Sequence, residues 1–483
     1  MQSDEDFEKL KKNDSSFHKL EFDLTQECIG NMDWEGIKEG IRNNTVVREV
    51  HVRMSKEFVE LFDLNEIIEL FKVLGRLQNL KYMCLGQMTG AVSTFCHIPV
   101  QAMTAMLEQA QDTLLWFYLR GIIVQHIYKG SEEEQEDLGE SSATMGDDSK
   151  REKKKKSKKE KDKKEKKDSK EKKKKKDKKK DKHNESSRTD LNLEDETESG
   201  HPDGDFPVDK KQAAARRALE KCGEAISKCK LLKKVSFMCH FNEEMYACRL
   251  DPLLEGLAVC EELDLVVFAV TRHDGRILVD SSALGTFFDG CPSLKEASII
   301  FIKLSEDHMD EVAGAVAKHK TLESLTLTGT GSTTAEPIGT LMRATNLKKL
   351  SLQELYLDEQ CVVALAIGLA HFNHLEELEI QCKLKTSQAF ALSQMVSLNQ
   401  GLQTLHLHLT LLADVSTPLD LVAAVLANPN SNMKKIIIEA KNEECEKISE
   451  ISLDDWRYVN VTNTCLLNAV RAVWLCIDYD LTN

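Results

Sequence analysis

The pattern apolar-x-x-apolar-x-apolar returns again and again along the chain. It appears as FHKLEF at Phe17, VREVHV at Val47, LKYMCL at Leu80 and LLWFYL at Leu114. After a gap it resumes as LKKVSF at Leu232, LDLVVF at Leu263, LKEASI at Leu294 and LESLTL at Leu322. It continues as LKKLSL at Leu347, LEELEI at Leu375, LQTLHL at Leu402 and MKKIII at Met433. Outside the gap, successive starts lie 25 to 34 residues apart. Alternation within each match is that of a half-buried strand, and near-constant spacing over twelve copies marks a stacked repeat.

Between the matches the period changes to that of a helix. EDHMDEVAGAVAKHK places Met309, Val312, Ala313 and Val316 on one helical face, and DEQCVVALAIGLAHF does the same with Val362, Leu365, Ala366 and Leu369. Each unit is therefore predicted to be a strand followed by a helix, joined by right-handed crossovers. Strands pair at ~4.8 Å whereas packed helices need ~8–10 Å, so the stack bends with its strands on the inner wall. The predicted fold is an α/β solenoid with a parallel sheet on the concave face, helices on the convex face and an insert. Repeats are expected over residues 1–130 and 208–445, the insert over 131–207 and a terminal cap over 446–483.

These LxxLxL units with their long helical segments resemble the leucine-rich repeats of ribonuclease-inhibitor type, over everything but the insert. LKKNDSSFHKLEF and GIKEGIRNNTVVREVHV resemble the opening repeats of tropomodulin-like proteins. The resemblance implies a right-handed horseshoe that recognises another protein through its concave face. It also implies two alternatives. The Ran GTPase-activating proteins are built from the same repeat type, and Arg53 and Arg120 are the candidates here for that activity. Actin binding of tropomodulin type is the other, although only 16 residues precede Phe17, where that family has amphipathic helices. The sequence departs from the family pattern in one respect. The place kept for Asn or Cys after each strand holds Thr25, Ser55, Met88 and other residues instead. Uneven turns are expected there, with other donors or water satisfying the backbone.

Composition separates the insert from the rest. Lys150 to Asn184 carries 23 basic and 8 acidic residues, and acidic flanks bring residues 131–207 to zero. The formal charge of −15 therefore resides on the repeats and termini. Such a segment buries too little apolar surface to offset its ordering entropy and is predicted to be disordered, with local coiled-coil-like helix from i,i+4 pairs. It suits a spacer, a nuclear-import or phosphate-only nucleic-acid tail, or a segment that docks on the acidic repeats or an anionic membrane surface. No aromatic residue lies among the lysines, so base stacking is not expected.

No run of ~18 apolar residues predicts a membrane span, and no signal peptide is apparent, so a cytoplasmic location is expected, with nuclear entry through the insert. The 14 cysteines form no CxxC pair or zinc-type grouping and read as reduced, buried thiols. Neither a phosphate loop, a nucleophile elbow nor an HExxH motif is present. LTGTGSTT, Leu327 to Thr334, could cradle a phosphate but reads better as a repeat turn, and His406 with His408 lacks a third metal ligand. A non-enzymatic chain without cofactor or metal is expected.

Candidate chemistry lies on the concave face, at the third, fifth and seventh places of each match. Units two to four supply His51, Arg53, Tyr82, Trp116, Tyr118 and Arg120, the aromatic and arginine residues that binding hot spots favour. Leu265 and Val267 of the sixth unit, with Ile300 of the seventh, form an apolar row that suits a second contact or a cover by a loop. Later units present a polar wall that includes Lys349, Glu377 and His406. LLNAVRAVWLC near the end predicts a capping helix. The expected partner is a protein, met by a monomer.

Overall fold

The alternation places strands β1 (Lys19–Leu24), β2 (Glu49–Met54), β3 (Tyr82–Gly86), β4 (His97–Pro99), β5 (Trp116–Val124), β6 (Lys234–Phe241), β7 (Leu265–Arg272), β8 (Gly275–Arg276), β9 (Glu296–Lys303), β10 (Ser324–Thr333), β11 (Lys349–Leu357), β12 (Glu377–Cys382), β13 (Thr404–Leu409), β14 (Lys435–Asn442) and β15 (Cys445–Ser452). The helices are α1 (Asp4–Lys11), α2 (Trp34–Arg42), α3 (Lys56–Leu61), α4 (Leu64–Gly75), α5 (Val100–Ala110), α6 (Lys210–Lys228), α7 (Asp251–Leu257), α8 (Ser281–Gly290), α9 (Glu306–Lys318), α10 (Ala335–Met342) and α11 (Glu359–His371). The structure, a computed structural model, describes residues 4–86, 96–124, 210–242, 245, 248–272, 275–382, 391–392, 394–396, 398–409, 430–442 and 445–452. The chain divides into two units, Met1–Tyr128 with Val208–Asn483, and Lys129–Pro207. Every described residue belongs to the first. The predicted insert and the predicted C-terminal helix lie outside the described residues.

Each of the twelve sequence matches forms a rung of one open parallel sheet, in the order β1-β2-β3-β5-β6-β7-β9-β10-β11-β12-β13-β14. The short β4 and β8 pair to the side with β5 and β7, and β15 pairs antiparallel with β14. Registers align the repeats place for place. Leu20, Val50, Met83, Phe117, Val235 and Val266 follow one another across neighbouring strands, all buried. Phe237 lies parallel to Phe268 at 5.3 Å and edge-on to Phe117 at 5.6 Å, so three rungs share one aromatic column. The predicted helical faces are buried too, with Met309, Val312, Leu365 and Leu369 at 1% exposure or less. Asp358 caps α11 by accepting from Cys361 N at 2.8 Å, and Ser55 caps α3 by accepting from Phe58 N at 3.1 Å.

The joints between rungs have a common chemistry. At the first, Arg48 N and Glu49 N both donate to His18 O; at the last, Lys434 N and Lys435 N both donate to Gln403 O. The same forked bond occurs at all eleven joints. A second ladder runs three places before six of the twelve sequence matches. There Asn44 Nδ2 donates to Leu10 O while its Oδ1 accepts from Val47 N at 2.8 Å. Asn399 repeats this arrangement with Leu369 O and Leu402 N, and His319 does so with Cys291 O and Leu322 N. At the same place Cys229, Cys260 and Cys291 donate Sγ–H to Leu107 O, Ile226 O and Leu257 O of the preceding rung. The asparagine and cysteine donors missing at the strand exits therefore stand, with His319, at the strand entrances. They satisfy buried carbonyls that would otherwise lose their water partners.

Burial also fixes the ionisation of these thiols, pushing Cys229 and Cys260 up to about 12, like Cys96 near β4. An unfolded thiol releases its proton near ~8.5. Above that pH the unfolded chain binds fewer protons than the folded one, so stability is complete below pH ~8.5 and falls as pH rises toward 12. The melting temperature in reductant is expected to drop steadily between pH 8 and about pH 10. A constant or rising value would contradict the buried-donor role.

Candidate functional site: the helix-free face of the sheet

Alternation turns every second strand residue away from the helices, and the registers arrange these side chains in rows. One row reads Glu49, Tyr82, Trp116, Lys234 and Leu265 on successive rungs. The next reads His51, Cys84, Tyr118, Ser236 and Val267. The predicted aromatics meet here. His51 stacks on Tyr82 at 5.3 Å and 24°, and Tyr82 packs against Tyr118 at 5.2 Å. Trp116 stands edge-on to Tyr82 at 6.0 Å and 85°. His51 Nε2 donates to Glu49 Oε1 at 2.6 Å, which orients the imidazole against the phenol. Trp116 remains 40% exposed, with the Lys234 ammonium 5.6 Å from its ring centre.

Two small residues make room for this stack. Cys84 lies buried between the His51 and Tyr118 positions, and burial pushes its thiol up to about 11. Gly86 ends β3 at φ +108, and a Cβ there would come 1.8 Å from Arg120 O. Only glycine both adopts that backbone conformation and lets β3 and β5 approach. Partial burial raises the pKa of Tyr82 and Tyr118, and the charge of Asp264 adds to the shift of Tyr118. Both phenols stay neutral at physiological pH and offer an O–H beside an apolar ring, the amphipathic surface that interfaces use.

A second patch adjoins the first through β6. Arg120, Met238, Ala269 and Ile300 follow one another across β5, β6, β7 and β9. Met238 is 45% exposed, and Leu265, Val267 and Ile300 are partly exposed. The pairing of β9 with β10 skips Phe301, which takes φ 64 and is 36% exposed. This bulge sets a second apolar side chain next to Ile300. A similar irregularity crosses the adjoining rungs, where pairing skips Glu354 at φ 57 in β11.

The nine predicted positions thus fall into one aromatic stack and one apolar row, with the two arginines standing apart. Arg53 Nη2 donates to Asp23 Oδ2 at 3.0 Å, and Arg120 is half-buried and engaged within the chain. Neither is a loose cation. Met238 was legible as the seventh place of its unit. Phe301 was not, because a bulge breaks the alternation. The glycines of LTGTGSTT serve strand packing: a Cβ at Gly331 would fall 1.7 Å from Leu304 O, and one at Gly329 2.2 Å from Ile302 O. His406 meets Glu379 at 3.2 Å, and Glu379 also accepts from Ser351 Oγ at 2.7 Å. Among the described residues no three ligand side chains converge on a metal position, and no helix is long and apolar enough to cross a membrane.

No family model and no curated protein matches this chain. Among solved structures it is similar to a tropomodulin C-terminal domain from Caenorhabditis elegans, at 10% identity and a TM-score of 0.23 over 40% of this chain and 93% of that one. It is also similar to a structure of leiomodin-1 actin-binding site 2, at 13% identity and a TM-score of 0.20 over 31% of this chain and 74% of that one.

Proposed function

We propose that the chain is a non-enzymatic recognition scaffold whose helix-free sheet face grips a partner protein, with Trp116 and Met238 as its anchors. The observation that supports this reading is the partly exposed strip from the Tyr82–Trp116–Tyr118 stack to Met238 and Ile300, held on paired strands. Rigid aromatic anchors lose little conformational freedom on binding, so such a strip converts contact area into affinity efficiently. The reading as a GTPase activator has no comparable support, since Arg53 is held by Asp23.

The test compares proteins retained by the intact chain, by Trp116→Ala with Met238→Asp, and by a chain lacking residues 131–207. Loss of a central tryptophan anchor typically costs about 2 kcal/mol or more, roughly thirtyfold in affinity. The double variant is expected to keep its melting temperature and lose its specific partners. Identical recovery by all three chains would rule out both the face and the insert as contact regions. Cosedimentation with actin filaments, run on the same variants, tests that partner directly.

A further inference from the structure

The apolar strip is bordered by charge of the opposite sign to the whole protein. On rungs β3 to β9 the outward positions and the rim just before each strand carry Lys81, Arg120, Lys233, Lys234, Lys295 and Lys303 against Asp264 and Glu296. Glu262 takes Lys233 at 3.3 Å and Arg120 is engaged within the chain, which leaves four lysines facing two carboxylates on a chain whose formal charge is −15. Lys234 lies against the strip, poised over Trp116.

Geometry narrows the shape of the partner. Five rungs, β3 through β9, carry the strip, and strands ~4.8 Å apart make it about 19 Å wide across the sheet. An α-helix rises 5.4 Å per turn, close to the strand spacing, so a helix laid across the strands sets about one side chain on each. About 13 residues span the strip. An extended peptide lying the same way has its side chains on one face ~6.6 Å apart, out of step with the rungs.

We infer that the strip receives an amphipathic helix of the partner protein, apolar along the stripe against Trp116, Met238 and Ile300, and acidic along the flank against Lys81 and Lys234. This rests on the recognition reading and specifies the chemistry of the partner. The carboxylates meet cations that flank the apolar strip, so an acidic flank is favoured over a basic one.

The experiment uses the full chain and three fluorescent helix-stapled peptides of about 14 residues. All have leucines at every third or fourth place; one carries glutamates on its flank, one lysines, and one is a scramble of the first. Anisotropy is expected to show the glutamate peptide binding at least about tenfold tighter than the lysine peptide, with affinity falling as salt rises. Met238→Asp should abolish binding, and Lys234→Glu should narrow or reverse the preference while leaving the melting temperature unchanged. Equal affinities, a preference for lysine, or no binding by any peptide would overturn the inference. If that happens while Trp116→Ala with Met238→Asp still loses its cellular partners, the recognition reading stands and only the acidic helix falls. If those variants also keep their partners, the face itself is excluded.

Discussion

Phe237→Ala is expected to lower the unfolding free energy by about 3–5 kcal/mol, the range for truncating a fully buried aromatic ring. The residue is 0% exposed and touches a ring on each neighbouring rung, Phe117 and Phe268. The position matters as much as the area. β5 and β6 are adjacent in the sheet although residues 125–233 separate them in sequence, so the Phe117–Phe237 contact joins the repeats before and after the insert. In a solenoid each unit is stabilised largely by its neighbours, and a weakened joint lets the two arrays unfold separately. Chemical denaturation should therefore show a lower midpoint and a broadened or split transition. Phe237→Leu, which keeps most of the volume, should cost much less. A single sharp transition at the wild-type midpoint for Phe237→Ala would show that the joint is held elsewhere.

Gly86→Ala is the second substitution with a large expected effect, and it links stability to recognition. An alanine there must hold φ near +108 or move, and its Cβ meets the Arg120 carbonyl at 1.8 Å. Backbone strain of this kind costs about 1–3 kcal/mol before any clash is counted. The clash falls on β5, which carries Trp116 and Tyr118. A loss of about 3 kcal/mol in stability is expected, together with a change in the emission of Trp116 and loss of partner binding. Binding measured well below the melting temperature separates the two effects: a stable Gly86→Ala chain with unchanged binding would show that β3 and β5 need no such close approach at the site.

The rungs could be read from the sequence because each repeats one demand, two apolar residues directed into a core at fixed spacing. That demand is local, so LKKLSL at Leu347 needed no knowledge of its neighbours to be placed. The aromatic stack was legible for a related reason. Once rungs align place for place, Tyr82, Trp116 and Tyr118 must be neighbours. What remained hidden depends on departures from the repeat. Phe301 is exposed through a bulge, and alternation alone assigns it to the core side. Arg53 looked available, but Asp23 on the adjoining strand neutralises it, a pairing visible only when the register is known. The polar ladder was sought after each strand, whereas Asn44, Cys260, His319 and Asn399 place it before.

The forked bond at each joint uses only main-chain N–H and carbonyl groups, so it makes no demand on the side chains it passes. Lysine, leucine, glutamate and aspartate all occupy the donor position, from Lys81 and Leu115 to Asp264 and Glu376, without altering it. The spine of the molecule is thereby insulated from its palm. Outward residues can be exchanged rung by rung, and a grip of new sign or shape can be written onto the same frame with little loss of its cohesion.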